Sequence, residues 1–369
     1  VGCGLSGLVI AERIANILRK PVIIIEKRDH IAGNCYDFVD KDTGILMNKY
    51  GAHLFHTNNK KVWDYINKFD KWERWEHKVL SFVDNKYVPM PVNITTVNML
   101  CDENIENTEE MNEWLKKNQI KYDNIDNSEK MAKSRIGEKL YNKLVKNYTH
   151  KQWNKYPNQL NPSVLARIPI RNNFDCRYFS DKYQALPSKG YTHFCNNILK
   201  SNPLIKCFLN CDFFKFKKEH DISEFEGIIY TGPIDKYFND CNLEKLEYRS
   251  IKFKKKIYRN CGYILPNSVV NYPEKKYAPT RSVEYKHFLN QDSFSTIVVS
   301  ETTTDRGEPY YPVPNEKNLN LYNKYKLLAE EEEKINNVYF VGRLANYKYF
   351  NMDQAIDNAL NFFEKKLNN

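Results

Sequence analysis

The chain has 369 residues, with 56 lysines and arginines against 46 acidic residues, which gives a net charge of +10. Its 41% hydrophobic content and mean hydropathy of −0.68 indicate a soluble, globular chain, long enough for two or three packed units. No apolar run approaches the roughly 20 residues that cross a bilayer, so we expect no membrane insertion. The lysines are spread along the chain and no nucleic-acid-binding module is recognisable, so nucleic acid is not an expected partner.

The nine cysteines are scattered, with no Cys-x-x-Cys pair and no histidines at metal-ligand spacing beside them. An odd number of cysteines in a long chain is typical of reduced thiols rather than of a disulfide framework or a zinc site. We therefore expect a cytoplasmic protein without a bound metal. The positive charge has two interpretations, a solvated lysine-rich surface or a cleft that attracts phosphate-bearing ligands.

The chain opens with a Gly-x-Gly-x-x-Gly pattern formed by Gly2, Gly4 and Gly7. An amphipathic helix follows, then the apolar segment Val22–Ile25 and an acidic residue, Glu26. In such a unit the glycines permit a tight turn and a close backbone approach to a pyrophosphate, while the acid binds ribose hydroxyls. The pattern predicts a dinucleotide site at the start of the first helix. Because a strand should precede the first glycine, we expect the numbered chain to lack the first strand of this sheet.

Farther along the chain, helical and strand patterns occur in blocks. Residues 101–153 have a helical pattern, with the polar stretch 121–128 joining two helices, and residues 161–174 are predicted as a loop. Apolar segments predict strands at residues 228–231, 246–253, 256–265, 295–300 and 338–341, and a final helix at residues 352–367. No repeat or low-complexity linker separates the blocks, which predicts interleaved domains rather than domains in series.

Several short segments suit a nucleotide ligand, although each has a purely structural alternative. Gly33 and Asn34 indicate a second place where the backbone comes close to a cofactor. A long FAD molecule needs such a second contact more than NAD does. The segment Tyr148–Trp153 is either part of the core or a stacking surface for a base or sugar. Arg167 lies between Pro162 and Pro169, and Arg281 follows Pro279 by two residues. Each is either a surface arginine or one of the guanidinium groups of a pyrophosphate site.

In this order, the motifs resemble those of the bacterial-type UDP-galactopyranose mutase family, over essentially the whole chain. The most specific stretches are residues 49–58 (KYGAHLFHTN), 148–153 (YTHKQW), 167–169 (RIP), 178–181 (YFSD), 229–235 (IYTGPID) and 342–349 (GRLANYKY). No single stretch is decisive, and their shared order carries the resemblance.

The resemblance implies a mixed α/β and α+β fold. It consists of a Rossmann-like FAD-binding domain, an inserted helical substrate domain and an antiparallel β-sheet domain. The implied boundaries are residues 1–70, about 186–240 and 315–369 for the first domain, about 98–160 for the second, and about 71–97, 161–185 and 241–314 for the third.

The resemblance also implies an activity, the interconversion of UDP-galactopyranose and UDP-galactofuranose by an isomerase of galactofuranose biosynthesis. The family uses FAD that must be reduced, although the net reaction is not redox. The reduced flavin N5 attacks the anomeric carbon and expels UDP, and the covalent adduct lets the sugar ring open and reclose. Two alternatives stay open, a non-catalytic UDP-sugar-binding relative and an FAD-dependent oxidoreductase. A homodimer is one possible assembly.

Carried over position by position, the resemblance assigns two sets of residues. FAD is expected to bind Gly2, Gly4, Gly7, Glu26, Lys27, Gly33, Asn34, His53, Arg343 and Met352. The sugar nucleotide is expected to bind Tyr148, Thr149, Trp153, Arg167, Tyr178, Arg281, Tyr311 and Tyr349. The expected catalytic residues are Arg167 and Arg281, which would grip the diphosphate, and His53, which would lie close to the flavin ring.

Three positions depart from the family pattern. Asn351 stands where bacterial relatives carry Asp, which is expected to weaken a polar contact near the sugar. Ala32 replaces the first glycine of a usual Gly-Gly-Asn. His77 stands where some relatives have Asn, and the resemblance assigns it no role.

Overall fold

The computed structural model describes residues 1–368. In chain order, the α-helices are α1 (Leu5–Arg13), α2 (Lys60–Ile66), α3 (Ile94–Cys101), α4 (Thr108–Asn118), α5 (Ser128–Leu140), α6 (Lys146–Trp153), α7 (Ser163–Ala166), α8 (Tyr191–Leu199), α9 (Phe213–Glu219), α10 (Ile234–Tyr237), α11 (Glu316–Asn336) and α12 (Met352–Phe362). The strands are β1 (Val22–Ile25), β2 (Asp37–Val39), β3 (Leu46–Asn48), β4 (Phe55–Thr57), β5 (Trp72–Arg74), β6 (Val79–Val83), β7 (Lys86–Met90), β8 (Tyr183–Pro187), β9 (Ile205–Phe208), β10 (Ile228–Tyr230), β11 (Tyr248–Tyr258), β12 (Val269–Asn271), β13 (Arg281–Glu284), β14 (Thr296–Thr304), β15 (Tyr311–Pro312) and β16 (Val338–Phe340).

Two pairs of parallel strands form the nucleotide-binding half, β1 with β9 and β10 with β16. The first residue lies between the two pairs. The Val1 ammonium group donates to the Ile229 carbonyl at 2.6 Å, and the Val1 carbonyl accepts from the Thr231 N–H at 3.2 Å. On the other side, the Gly2 N–H donates to the Ile25 carbonyl at 2.8 Å. The expectation of a further strand at this place stays a prediction.

The first helix is buried because small and aliphatic residues recur along it. Leu8, Ala11 and Ala15 are each no more than 3% exposed. The helix packs against α12 and α8. α12 begins at Met352 and continues as a π-helical segment to Leu367, as the sequence predicted. The strands predicted near residues 228–231 and 338–341 are β10 and β16.

A seven-stranded sheet forms the other half, in the order β15-β11-β14-β13-β12-β6-β7. Its pairings are antiparallel except for β12 with β6. Because side chains alternate along a strand, the sheet has two faces of different composition. The inner face carries Phe253, Asn271, Arg281, Val283, Ile297, Val299 and Glu301, whose registers place them side by side. The outer face carries Leu80, Phe82, Val270, Tyr272, Ser282, Val298, Ser300, Lys252, Lys254, Lys256 and Tyr258.

One strand replaces two that the sequence predicted. Residues 246–253 and 256–265 were expected as separate strands, but β11 runs without a break over Tyr248–Tyr258. The lysines at its centre keep the two-residue alternation, and Lys254 and Lys255 pair with Ser300 and Val299 of β14. A charged run on an exposed strand edge therefore looked like a break although the backbone continues.

The helices predicted within residues 101–153 are present, and residues 119–127 connect α4 to α5. Asparagines start three of these helices: Asn93, Asn107 and Asn127 cap α3, α4 and α5 by accepting backbone N–H groups. Residues 161–174 were predicted as a loop, but they contain the short helix α7. Pro162, which starts that helix, has the backbone φ that a first helical turn needs. Within residues 1–368, no helix has the length and apolar character to cross a membrane.

Candidate active site

A cavity of about 530 Å³, here called the nucleotide cavity, lies at the start of α1. Gly2 has a φ of +94°, and a Cβ added at Gly7 would lie 2.0 Å from the Gly2 carbonyl oxygen. A side chain at either position would therefore disrupt the turn. Gly4, Leu5 and Ser6 at the start of α1 line the cavity, and a helix N-terminus carries free N–H groups and a partial positive charge.

A second loop comes close to the first. A Cβ added at Gly33 would lie 2.9 Å from the Gly4 Cα, and both residues line the nucleotide cavity. Ala32 holds a φ of +71°, a left-handed conformation that glycine adopts with less strain. The Asn34 Oδ1 accepts from Arg28 Nη1 at 3.0 Å. The two loops thus form a backbone cradle without side chains at its narrowest point.

Glu26 is 6% exposed and lines the same cavity. One carboxylate oxygen accepts from the Cys3 N–H at 2.9 Å and the other from the Arg28 N–H at 3.0 Å. Each oxygen keeps one further lone pair for a hydroxyl donor. Lys27 Nζ lies 2.6 Å from a carboxylate oxygen of Glu308 at the rim of the cavity.

A second cavity of about 360 Å³, here called the arginine cavity, adjoins the first. The sequence-predicted residues that line it are Tyr148, Thr149, Trp153, Arg167, Tyr178, Arg281, Tyr311 and Tyr349. His53, Arg343 and Met352 line both cavities and form the wall between them. The structure therefore sorts the two predicted ligand sets into two neighbouring spaces that share three residues. Lys27 lines the nucleotide cavity at its rim, whereas Gly7 lines neither cavity.

Arg281 enters the arginine cavity from the inner face of the sheet. It lies opposite Glu301 on β14, and its Nε donates to a Glu301 carboxylate oxygen at 2.6 Å. Burial opposes the charge of Arg281, but Glu301 outweighs it and raises the pKa of the guanidinium group. Since Nε holds the carboxylate, the two Nη groups are left for an anionic ligand.

Arg167 follows α7 and enters from the opposite wall. Its guanidinium carbon lies 4.3 Å from the centre of the Tyr349 ring. Burial is the largest single influence on the Tyr349 hydroxyl and raises its pKa, but Arg167, Arg343 and Arg281 together outweigh burial and lower that pKa. The side chain of Arg167 is accessible from the cavity while protein surrounds it, which is the setting in which a guanidinium group binds an anion strongly.

The other tyrosines of the cavity are kept neutral. Burial raises the pKa of Tyr148, Tyr178 and Tyr311, so each hydroxyl is a hydrogen-bond donor at neutral pH. The Tyr148 hydroxyl donates to Asn271 Oδ1 at 3.3 Å. Trp153 is 2% exposed, so most of its ring belongs to the core.

The helix α6 holds the predicted stacking segment above the sheet. Lys151 Nζ donates to the Tyr272 carbonyl at 2.7 Å and to the Pro279 carbonyl at 3.0 Å. Burial lowers the pKa of Lys151 to about 8. These contacts join the helical segment to the strands that carry Arg281.

His53 is an uncharged member of the wall between the cavities. Its Nδ1 donates to the Gly51 carbonyl at 2.7 Å, which leaves Nε2 as the acceptor nitrogen. Burial lowers the pKa of His53 to about 4, and Arg343 and Arg281 act in the same direction. The side chain is therefore neutral at physiological pH.

Two other histidines line the arginine cavity without having been predicted as site residues. His77 is 4% exposed, its Nδ1 has no partner in the described chain, and burial lowers its pKa to about 3. His56 Nδ1 lies 2.9 Å from Asp181 Oδ2, and its ring stacks on Phe179 at 3.6 Å. The sequence signal for His56 was its place in the specific stretch of residues 49–58, and His77 was noted only as a departure from the family pattern.

The departure at position 351 lies at the start of α12. Asn351 caps this helix in a reciprocal box with Gln354, whose side chain accepts from the Asn351 N–H at 2.9 Å. Met352 is 8% exposed, and its sulfur lies 3.6 Å from the Cys35 thiol.

In residues 1–368, no cluster of three or more His, Cys, Asp or Glu is placed to bind a metal ion. All nine cysteines are free thiols.

Sequence reasoning also missed Glu301 and Asn271, which hold Arg281 and Tyr148 in place. Neither residue lies in a segment predicted as a strand. The pairing of β13 with β14 brings Glu301 to Arg281, and the hydroxyl of Tyr148 on α6 donates to Asn271 on β12. A glycine-cradled nucleotide cavity beside a cavity with three guanidinium groups defines the class: an α/β enzyme that binds a dinucleotide and a second, anionic ligand.

Comparison with known proteins identifies the family. The UDP-galactopyranose mutase family model matches residues 143–349, and a model of the NAD(P)-binding Rossmann-like domain matches residues 1–69. A probable UDP-galactopyranose mutase of Klebsiella pneumoniae is 34% identical over 98% of this chain and 92% of its own length. The dTDP-fucopyranose mutase of Escherichia coli is 32% identical over 98% of this chain and 95% of its own length. The chain belongs to the UDP-galactopyranose mutase family.

A solved structure of a reduced UDP-galactopyranose mutase has the same fold. It matches with a TM-score of 0.78 and 17% identity, over 100% of this chain and 94% of that chain. The family and the mixed α/β fold with a Rossmann-like domain, both predicted from the sequence, are confirmed. The domain boundaries and the roles of individual residues stay predictions.

Proposed function

We propose that this chain interconverts UDP-galactopyranose and UDP-galactofuranose, with FAD in the nucleotide cavity and the sugar nucleotide in the arginine cavity. The observation that carries the proposal is the convergence of Arg167, Arg281 and Arg343 in one cavity that shares a wall with a glycine-lined one. A nucleotide diphosphate supplies the negative charge that such a cavity needs.

The residues of the nucleotide cavity fit FAD. The contact between Gly4 and Gly33 leaves only backbone at the point where a pyrophosphate would approach, and Glu26 can accept from ribose hydroxyls. His53, Arg343 and Met352 would then lie against the flavin ring, where the cavities meet. When bound and reduced, FAD supplies the nucleophile that takes up the anomeric carbon of the sugar as UDP leaves.

The chain's own residues would bind and orient the substrate. Arg281, held by Glu301, and Arg167 would bind the two phosphates, and their charges stabilise UDP as it separates from the sugar. The neutral hydroxyls of Tyr178 and Tyr311 would donate to phosphate oxygens. Tyr349, beside Arg167, would complete this group, and Tyr148 would pack on the uracil ring.

His53 would contribute as a neutral group. Because its Nδ1 donates to the Gly51 carbonyl, its Nε2 can accept a hydrogen bond at the junction of the cavities. A charged imidazolium beside Arg343 would be unfavourable, which agrees with the lowered pKa of His53. The site thereby keeps its positive charge on the arginines.

Turnover of UDP-galactofuranose, followed by chromatography with and without dithionite, tests the proposal. We expect FAD to co-purify with the chain and UDP-galactopyranose to form only under reduction. Bound reduced flavin and measurable UDP affinity without conversion would instead indicate a non-catalytic binding relative. Oxygen consumption with an oxidisable substrate would indicate an oxidoreductase. dTDP-fucopyranose belongs in the same assay, because a relative of that specificity covers the chain equally well.

A further inference from the structure

The outer face of the seven-stranded sheet carries a group of aromatic rings that the proposed function does not use. Phe82 packs against Tyr87 with ring centres 4.7 Å apart and against Tyr277 at 5.6 Å, and Tyr272 lies 5.5 Å from Tyr277. Tyr87 is 42% exposed, whereas Phe82, Tyr272 and Tyr277 are partly buried. The rings thus form an accessible layer above the small buried cluster around Val270.

Lysines lie on the same face at the opposite edge of the sheet, where β14, β13 and β12 separate β11 from the strand that carries Phe82. Lys252, Lys254 and Lys256 alternate along β11, so their side chains project from the outer face at intervals of about 7 Å. All three are exposed. Lys252 and Lys254 form no ion pair within the described residues, and Lys256 lies over the ring of Tyr258 at 4.5 Å.

Acidic side chains do not balance this charge. Glu284 points to the same face but is fully buried, where it accepts from the backbone N–H groups of Ile264 and Leu265. Glu274 pairs with Lys276 beside Tyr277. The exposed part of the face is therefore both cationic and aromatic.

We propose that this outer face binds the surface of an anionic lipid bilayer. Tyrosine and lysine are the residues that occupy the boundary between lipid headgroups and water, because each joins an apolar body to a polar end. A broad sheet face suits a planar partner better than a protruding side chain or peptide. The inner face, with Arg281, points the other way, so the arginine cavity stays open in the bound state.

A simpler explanation is that the lysines only protect the edge of β11 from pairing with other strands. That explanation predicts no affinity for lipid and gives no reason for the exposed aromatic rings. The two explanations therefore differ in a quantity that can be measured directly, the partition of the protein onto vesicles of different charge.

Co-sedimentation of the full chain with vesicles tests the proposal. Vesicles of phosphatidylcholine alone are compared with vesicles containing about 30 mol% phosphatidylserine, at low and high salt. We expect binding to the anionic vesicles only, weakened by salt. The variant Lys252→Gln/Lys254→Gln/Lys256→Gln should lower the partition by about a hundredfold, since each lysine near an anionic surface contributes several-fold.

A matched control removes the same charge elsewhere. Lys324, Lys326 and Lys334 are exposed on α11, and their replacement by Gln should change the partition by less than about threefold. Tyr87→Ser should weaken binding several-fold without changing its salt dependence. Circular dichroism and mutase activity should be unchanged in all three variants.

Three results would overturn the proposal: equal binding to neutral and anionic vesicles, no binding to either, or an equal loss in the β11 and α11 variants. If the chain instead binds an immobilised acidic polypeptide but no vesicle, the face is a site for an acidic protein. None of these results depends on whether the mutase activity is present, so the two proposals fail separately.

Discussion

The two faces of the seven-stranded sheet use the same strands for opposite purposes. On the inner face, Val283, Ile297 and Val299 belong to the main core, and Arg281 is held among them by a buried glutamate. On the outer face, Val270 and Val298 form a small separate cluster under aromatic and lysine side chains. The inner face fixes Arg281 by its ion pair with Glu301, whereas Lys252 and Lys254 on the outer face are exposed and form no ion pair within the described residues. The difference shows that burial, rather than residue type, decides which arginine or lysine can act at a site.

The largest expected effect is on kcat/KM, when a charged side chain of the inner face is removed and compared with one of the outer face. Arg281→Ala should lower kcat/KM for the sugar nucleotide by roughly 30- to 5000-fold, because losing a charged contact with a buried partner costs about 2–5 kcal/mol. Lys254→Ala, on the outer face of β11 in the same sheet, should change kcat/KM by less than about twofold. Steady-state kinetics and UDP titration of both variants check this, and equal losses would contradict the comparison.

Core packing should differ between the faces in the same way. Ile297 is fully buried on the inner face, so Ile297→Ala should lower the free energy of unfolding by about 2–5 kcal/mol. Leu80 on the outer face is partly exposed, and Leu80→Ala should cost about half as much. Urea denaturation of the two variants measures both values, with unchanged m-values as the check that the unfolded states are comparable.

Acid should weaken the folded state through His77, which lines the arginine cavity. His77 has a pKa of about 3 in the folded state and about 6.5 when unfolded, so the unfolded state binds more protons between these values. Stability is complete above pH 6.5 and falls as the pH is lowered, by about 3 kcal/mol at pH 4 from this residue. His77→Asn should flatten that decline in thermal melts. A decline of unchanged steepness in the variant would assign the effect to other groups.

The smallest expected effect on kcat/KM comes from replacing the planar guanidinium group of Arg167 by an ammonium group of the same charge. Arg167→Lys keeps the charge but loses the planar stacking on Tyr349, and should lower kcat/KM by about 5- to 50-fold. The melting temperature should stay within about 1 °C of the parent, because surface-accessible positions contribute little to stability. A control with Lys182→Arg, an exposed lysine outside the cavity wall, should be neutral in both measurements.

Local sequence patterns predicted those parts of the fold whose turn residues or hydrophobic periodicity lie within the element itself. The turn of Gly2 and Gly7, the helix after it and β1 follow from residues close together in sequence. β11 did not, because its central lysines follow a two-residue alternation that only the pairing with β14 reveals. The predicted set of site residues came from motif order, and the structure brings those residues to two adjoining cavities.

What the sequence did not predict are the partners of the site residues. Glu301 is 20 residues from Arg281 along the chain, and neither segment has a pattern that predicts their contact. His77 looked like any histidine before a strand, and its neutrality follows from burial by residues that are distant in sequence. Such contacts depend on strand register, which local sequence fixes only weakly.

The register of β13 against β14 has a consequence for how this family can change in evolution. A shift by a single residue would move Arg281 to the opposite side of the sheet and bring Ser282 into the arginine cavity in its place. The connection over residues 285–295 can therefore gain or lose residues only where the added chain bulges outward and leaves the pairing intact. Variation in length is then expected to accumulate in loops that join neither strand, while this connection keeps its length.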